Sequence, residues 1–141
     1  MPLYEYRHQE LFGWQGHYFE MHPHLHAHME IVSPIDFDLQ MTINRERYRM
    51  NPGDIAVVFP NEIHSFKKIN EEGKLKIFIF SASLLKYHRN LLMHHHPENP
   101  VISAVAVHPN VRHVMDILLA ELQKSVLNET VCTVLFELVI S

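Results

Sequence analysis

The sequence has almost no thiol chemistry, since Cys132 is its one cysteine. A disulfide framework is thereby excluded, and a reducing compartment fits. An excess of positive charge is missing too: 12 Lys and Arg stand against 16 Asp and Glu, for a formal net charge of −4. Proteins that grip DNA gain much of their affinity by neutralising phosphates and show a basic patch or stripe. Here the basic residues are dispersed, apart from Arg45, Arg47 and Arg49, so this chain is not expected to hold nucleic acid by itself. No apolar stretch approaches the roughly 18 residues of a membrane span. Met1-Pro2-Leu3-Tyr4-Glu5 carries neither the basic nor the apolar segment of a signal peptide. The expectation is a soluble, cytoplasmic protein.

What is present suits one domain. In 141 residues, 47% hydrophobic, there is enough apolar surface for a sizeable core without staples. Phe37 to Ile43 alternates apolar and polar residues, which predicts a strand with one buried face. Asn44-Arg45-Glu46 breaks it and Arg47 to Met50 resumes, as in a hairpin. Asn51-Pro52-Gly53-Asp54 is turn chemistry, with proline presetting φ and glycine supplying a positive φ. Ile55 to Phe59, bounded by that turn and by Pro60, suits a buried strand. Further strands are expected from His64 to Ile69 and from Lys74 to Ser81. Short strands at this spacing predict a sandwich or barrel over residues 1–90.

The period then changes. Residues 91–109, with prolines at 97, 100 and 109, read as a connector. Val111, Val114, Met115, Leu118, Leu119, Leu122 and Val126 then fill one helix face, with Asn110 as the expected N-cap. A second helix is expected after Asn128, its stripe being Val131, Val134, Leu135, Leu138 and Val139. The short break between the two predicts an antiparallel helical hairpin over residues 110–141. The second helix reaches Ile140-Ser141 without a stop signal, so a longer natural chain is expected. Two stripes of this size are too apolar to leave wet, which predicts a homodimer formed through the helices.

Histidine is the compositional outlier, at 13 residues. His22, His24, His26, His28 and Glu30 fall on even positions, while Leu25, Ala27, Met29 and Ile31 fall on odd ones. As one strand, this segment would carry imidazoles and a carboxylate on one face. Pro23 puts the start of regular pairing at His24 unless the strand is an edge there. His24, His26 and Glu30 are thus candidate metal ligands, with His64 as a fourth from beyond the Pro60-Asn61-Glu62-Ile63 turn. Three imidazoles and a carboxylate suit one divalent transition metal: zinc, nickel, iron or manganese. The alternative is a pocket that uses imidazoles only as hydrogen-bonding groups. His22 and His28 are placed near the rim, and His94, His95 and His96 in a solvated connector. The alternation offers Leu39, Met41, Val57, Phe66 and Phe80 as pocket-lining residues, without saying which face is inner.

His24 to Ile31, the Asn51-Pro52-Gly53-Asp54-Ile55 turn, and Phe59 to Phe66 (FPNEIHSF) resemble the two cupin motifs. Together with the following helices they most resemble the amino-terminal sensing domain of AraC-type transcription regulators. Two features depart from the wider cupin pattern. Ser33-Pro34-Ile35-Asp36 replaces a glycine turn, and Glu62 stands between Pro60 and His64 where enzymatic cupins have a glycine. The shorter proline-to-histidine spacing is the regulators' form.

The resemblance implies a mainly β fold, a cupin-type (jelly-roll) barrel followed by a helical hairpin. It also implies a small-molecule effector bound in the barrel, directly or through a metal, at the His24, His26, Glu30 and His64 face. The signal would pass through the helices to a helix-turn-helix DNA-binding domain that nothing in this chain matches. The family's usual state is metal-free, so a full ligand set keeps a free-standing metal-dependent cupin enzyme, a dioxygenase or isomerase, as the alternative. A sugar-binding or storage-type cupin is a third reading.

Overall fold

A computed structural model describes residues 3–5, 11–81, 98–124 and 135. Two five-stranded sheets face each other. One runs in the order β1 (Leu3–Tyr4), β3 (Met21–Leu25), β8 (His64–Lys68), β5 (Leu39–Ile43), β6 (Glu46–Met50). The other runs β10 (Val101–Ile102), β7 (Ile55–Val58), β4 (Met29–Pro34), β9 (Lys74–Phe80), β2 (Leu11–His17). All pairs are antiparallel except β1 with β3. The two sheets form an open jelly roll, the expected fold class.

Alternation builds the space between the sheets. On β5, Leu39, Met41 and Ile43 are buried while Gln40 and Thr42 are less so, as a one-faced strand requires. Those three join Val32, Ala56, Val58, Phe66, Leu75, Ile77 and Ile79 in an inner core contributed by both sheets. Asn44 and Arg45 make the β5–β6 turn with φ of 49° and 74°, the left-handed pair that a two-residue hairpin demands.

The second sheet is apolar on both faces. Its outer residues Leu11, Met29, Ile31, Ile55, Phe78 and Phe80 form a separate cluster with Met115 and Leu118 of helix α1 (Pro109–Leu122). This is why Ile55 to Val58 and Ile77 to Phe80 read as unbroken apolar runs. Each such side chain removed from water contributes roughly 1.5–3 kcal/mol. The helix comes close enough to β2 that a Cβ on Gly13 would lie 2.5 Å from Leu122 Cδ1. Gln123 Nε2 adds a hydrogen bond to the Gly13 carbonyl at 2.7 Å.

The helix begins one turn signal earlier than expected. His108, not Asn110, is the N-cap: its Nδ1 accepts from the Asn110 amide, and Pro109 takes the first helical position. The Asn51–Asp54 turn ties this region to the sheet. Asp54 accepts from the amides of Asn51 and Ala104, both at 2.8 Å, and Arg112 donates to the Gly53 carbonyl. Gly53 has φ 86°, as the turn chemistry requires.

Most of the connector, with His94, His95 and His96, lies outside the described residues, as does Val126. The second helix also lies outside them except for Leu135, which is helical and packs on the outer cluster. No described helix is long and apolar enough to cross a membrane.

Candidate functional site

The histidine segment is not one strand. It breaks at His26–His28, so that β3 belongs to one sheet and β4 to the other. Pro23 lies within β3, where the register against β8 shifts between Met21 and His24, a bulge that accommodates its missing amide. Beyond the bulge, His24 pairs directly with His64 of β8. His26 sits in the crossover, and Glu30 on β4 points inward between the outward-facing Met29 and Ile31. Two strands and a bend thus bring together what strict alternation would have spread along one edge.

One ligand atom from each of His24, His26, Glu30 and His64 lies within 4.8 Å of all the others, and all four residues are buried. The His24 and His64 rings are 4.1 Å apart between centroids, and His26 and His64 4.9 Å. Each imidazole is oriented by a backbone carbonyl. His24 Nδ1 lies 3.0 Å from the His22 carbonyl, His26 Nδ1 3.0 Å from that of His28, and His64 Nδ1 2.9 Å from that of Glu62. A carbonyl only accepts, so each Nδ1 carries a hydrogen and each Nε2 is left for the interior. His22 and His28 therefore serve the site through their backbones; the His22 ring is exposed.

The Nε2 atoms of His26 and His64 each stand 3.3 Å from a Glu30 oxygen. Burial alone would raise the Glu30 pKa, but the His26 hydrogen bond and the charges of His64 and His26 outweigh it and hold the carboxyl at about 2. For His64, burial lowers the pKa and the Glu30 carboxylate more than compensates, so it ends above the usual histidine value. His24, pressed by burial and then by His64, ends below it. Glu30 Oε2 and His64 Nε2 are nonetheless buried without a hydrogen-bond partner. Buried polar atoms in that condition call for an occupant. Three Nε2 atoms and a carboxylate fit a divalent transition metal, with the carbonyl-bound Nδ1 groups as its outer support.

Glu62 was not legible as a site residue. It is buried, and its carboxylate accepts from the Phe59 amide at 2.7 Å and from Asn44 Nδ2 at 2.8 Å. In turn, Asn44 Oδ1 accepts a hydrogen bond from the Ile63 amide at 3.1 Å. Glu62 thus locks the turn whose carbonyl aims His64, with Asn61 in a left-handed conformation at φ 64°. Only its departure from the glycine of enzymatic cupins marked the position in the sequence.

The five expected lining residues divide between the faces. Leu39, Met41 and Phe66 lie in the inner core, whereas Val57 and Phe80 pack on the outer cluster toward α1. A cavity of about 230 Å³ opens beside the centre instead, lined by Phe12, Trp14, Phe19, Met21, Glu30, Ile77 and Ile79. Phe19 stands edge-on to both Trp14 and Phe66, at 5.5 and 5.6 Å between centroids.

Solved structures share this architecture. ToxT from Vibrio cholerae O395 bound to (E)-4-(8-methylnaphthalen-1-yl)but-3-enoic acid is 8% identical over 92% of this chain and 54% of its own, with a TM-score of 0.57. Wild-type ToxT from Vibrio cholerae strain SCE256, bound to an unsaturated fatty acid, is 8% identical over 90% of this chain and 51% of its own, with a TM-score of 0.56. The Cnp3 cupin domain of Schizosaccharomyces pombe is 14% identical over 61% of this chain and 66% of its own, at 0.50. The chain spans about half the length of ToxT. None of the curated proteins matches it. The family model described as AraC-like ligand binding domain matches residues 8–138. With nearly the whole chain matched and the jelly roll in place, the chain belongs to the AraC-like ligand binding domain family.

Proposed function

We propose that this chain is the effector-sensing domain of an AraC-type transcription regulator. A small molecule enters the barrel and meets the His24, His26, Glu30 and His64 centre, which holds a divalent metal. The observation that carries this reading is the double duty of β2. Phe12 and Trp14 line the cavity beside Glu30, while the intervening Gly13 touches Leu122 of α1 and Leu11 joins the helix-side cluster. Any ligand that moves Phe12 or Trp14 therefore acts on a strand that seats the helix.

A ligand biases such an arrangement only through its differential affinity for two states. In this reading the helices over 110–141 carry the bias into homodimer geometry. A helix-turn-helix DNA-binding domain, not among these 141 residues, receives it. When bound, the metal supplies a fixed positive charge with open coordination positions. The chain's own residues orient the imidazoles, exclude bulk water and transmit strain through β2.

The test is hydrogen exchange of α1 together with sedimentation velocity, with and without zinc and candidate effectors. An effector should change the protection of α1 or the dimer fraction. If every molecule that binds the barrel leaves both unchanged, the chain is not a sensor. The same ligand set keeps a metal-dependent enzyme as a second reading, and turnover abolished by His64→Ala would favour it.

A further inference from the structure

We infer that the effector of this barrel is a compact aromatic monoacid, its ring seated among Phe12, Trp14, Phe19, Ile77 and Ile79 and its carboxylate turned toward Glu30. The inference rests on the reading of the four-residue centre as a metal site.

Size comes first. A cavity of about 230 Å³, open on one side, is smaller than the roughly 300–1,000 Å³ of pockets that enclose drug-sized ligands, so it suits one ring with a short substituent better than a long acyl chain. Wall chemistry comes second. Among the described lining residues, Glu30 is the sole ionisable group and the Trp14 indole N–H the sole other polar one. A polyol here would bury several hydroxyls without partners, a cost no apolar wall offsets. Three aromatic side chains instead present faces and edges for a flat ring. Phe19, 39% exposed and edge-on to Trp14 and Phe66, stands between this space and solvent.

Charge fixes the head group. Neutral imidazoles from His24, His26 and His64 with the Glu30 carboxylate leave a divalent centre with one net positive charge in a buried place. A buried charge is costly unless paired, and a monoanionic oxygen donor pairs it. Without the metal, Glu30 at the same end of the cavity repels a second carboxylate. The acid should therefore bind only the metal-loaded chain.

Trp14 is the single tryptophan of the chain and lines the cavity, so its fluorescence reports on that cavity. The experiment loads the whole chain with cobalt(II), whose visible spectrum reports its coordination, and titrates benzoate while following both signals. Benzamide, oleate and galactose are the comparisons, and the metal-free chain is the control. Benzoate should quench Trp14 and shift the cobalt bands together, at least about tenfold more tightly than benzamide, as a charged contact requires. Oleate, galactose and the metal-free chain with benzoate should give neither signal. Stoichiometric cobalt that no benzoate perturbs would overturn the inference while leaving the metal site standing. Equal quenching with and without cobalt would overturn the head-group assignment. A chain that takes up no cobalt would overturn the metal reading and this inference with it.

Discussion

Glu30 Oε2 and His64 Nε2 face each other at 3.3 Å, almost wholly buried, and neither has a hydrogen-bond partner. They come from opposite sheets, so the barrel itself holds the contact closed. An ion bridging them would satisfy both atoms at once. Glu30→Gln keeps the shape and removes the charge. It should weaken zinc binding by at least about 100-fold, since even the outer supports of a metal site are worth 10–100-fold. Competition against a chromophoric chelator reads this directly, and unchanged affinity would remove Glu30 from the ligand set.

Glu62 is a positioning residue. Glu62→Ala frees the Phe59 amide and Asn44 Nδ2 and loosens the turn that aims His64. The expected cost is about 1–3 kcal/mol of stability and about 10–100-fold in zinc affinity. Asn44→Ala should act on the same lock, so the double variant should cost less than the sum of the singles. A stability loss with zinc affinity intact would make Glu62 a structural residue only.

The β2–helix seam gives a third test. Gly13→Ala forces its new methyl against Leu122 and should destabilise the chain by about 1–3 kcal/mol in urea unfolding. Adding Leu122→Ala makes room and should return part of that loss. Simple additivity of the two changes would mean the helix does not sit on β2 as described.

Asp54 joins the turn before β7 to the segment before α1. Asp54→Ala strands the amides of Asn51 and Ala104 and should cost about 1–3 kcal/mol. Zinc stoichiometry should be unaffected, because Asp54 lies outside the four-residue centre. Loss of zinc in a variant that remains folded would tie this turn to the site.

Much of the fold was legible because its signals are local. The alternation of Leu39 to Ile43, the proline-glycine turn at 52–53 and the helical period from Val111 each need only a short window. Glu30 drew notice as the carboxylate that continues the even-numbered histidines, and His64 as the imidazole just past the Pro60-Asn61-Glu62-Ile63 turn. The break at His26–His28 was not legible, because the period of two continues on paper across a bend that moves the chain to the other sheet. Nor was the facing of Val57 and Phe80: a sheet buried on both sides leaves no polar residue to mark the inside. The cavity residues Trp14 and Phe19 were missed for a different reason. Trp14 comes beside the centre through the pairing of β2 with β9 and of β9 with β4. Phe19 comes there through the loop after β2 packing on Phe66 of the opposite sheet, and neither neighbourhood is local in sequence.

The most direct test is elemental analysis of the purified, folded chain beside a His24→Ala/His64→Ala double variant. Near one equivalent of a divalent transition metal per chain, lost in the variant, is the expected result. A folded chain that carries no metal and takes up none when zinc is supplied would contradict the assignment of His24, His26, Glu30 and His64 as a metal centre.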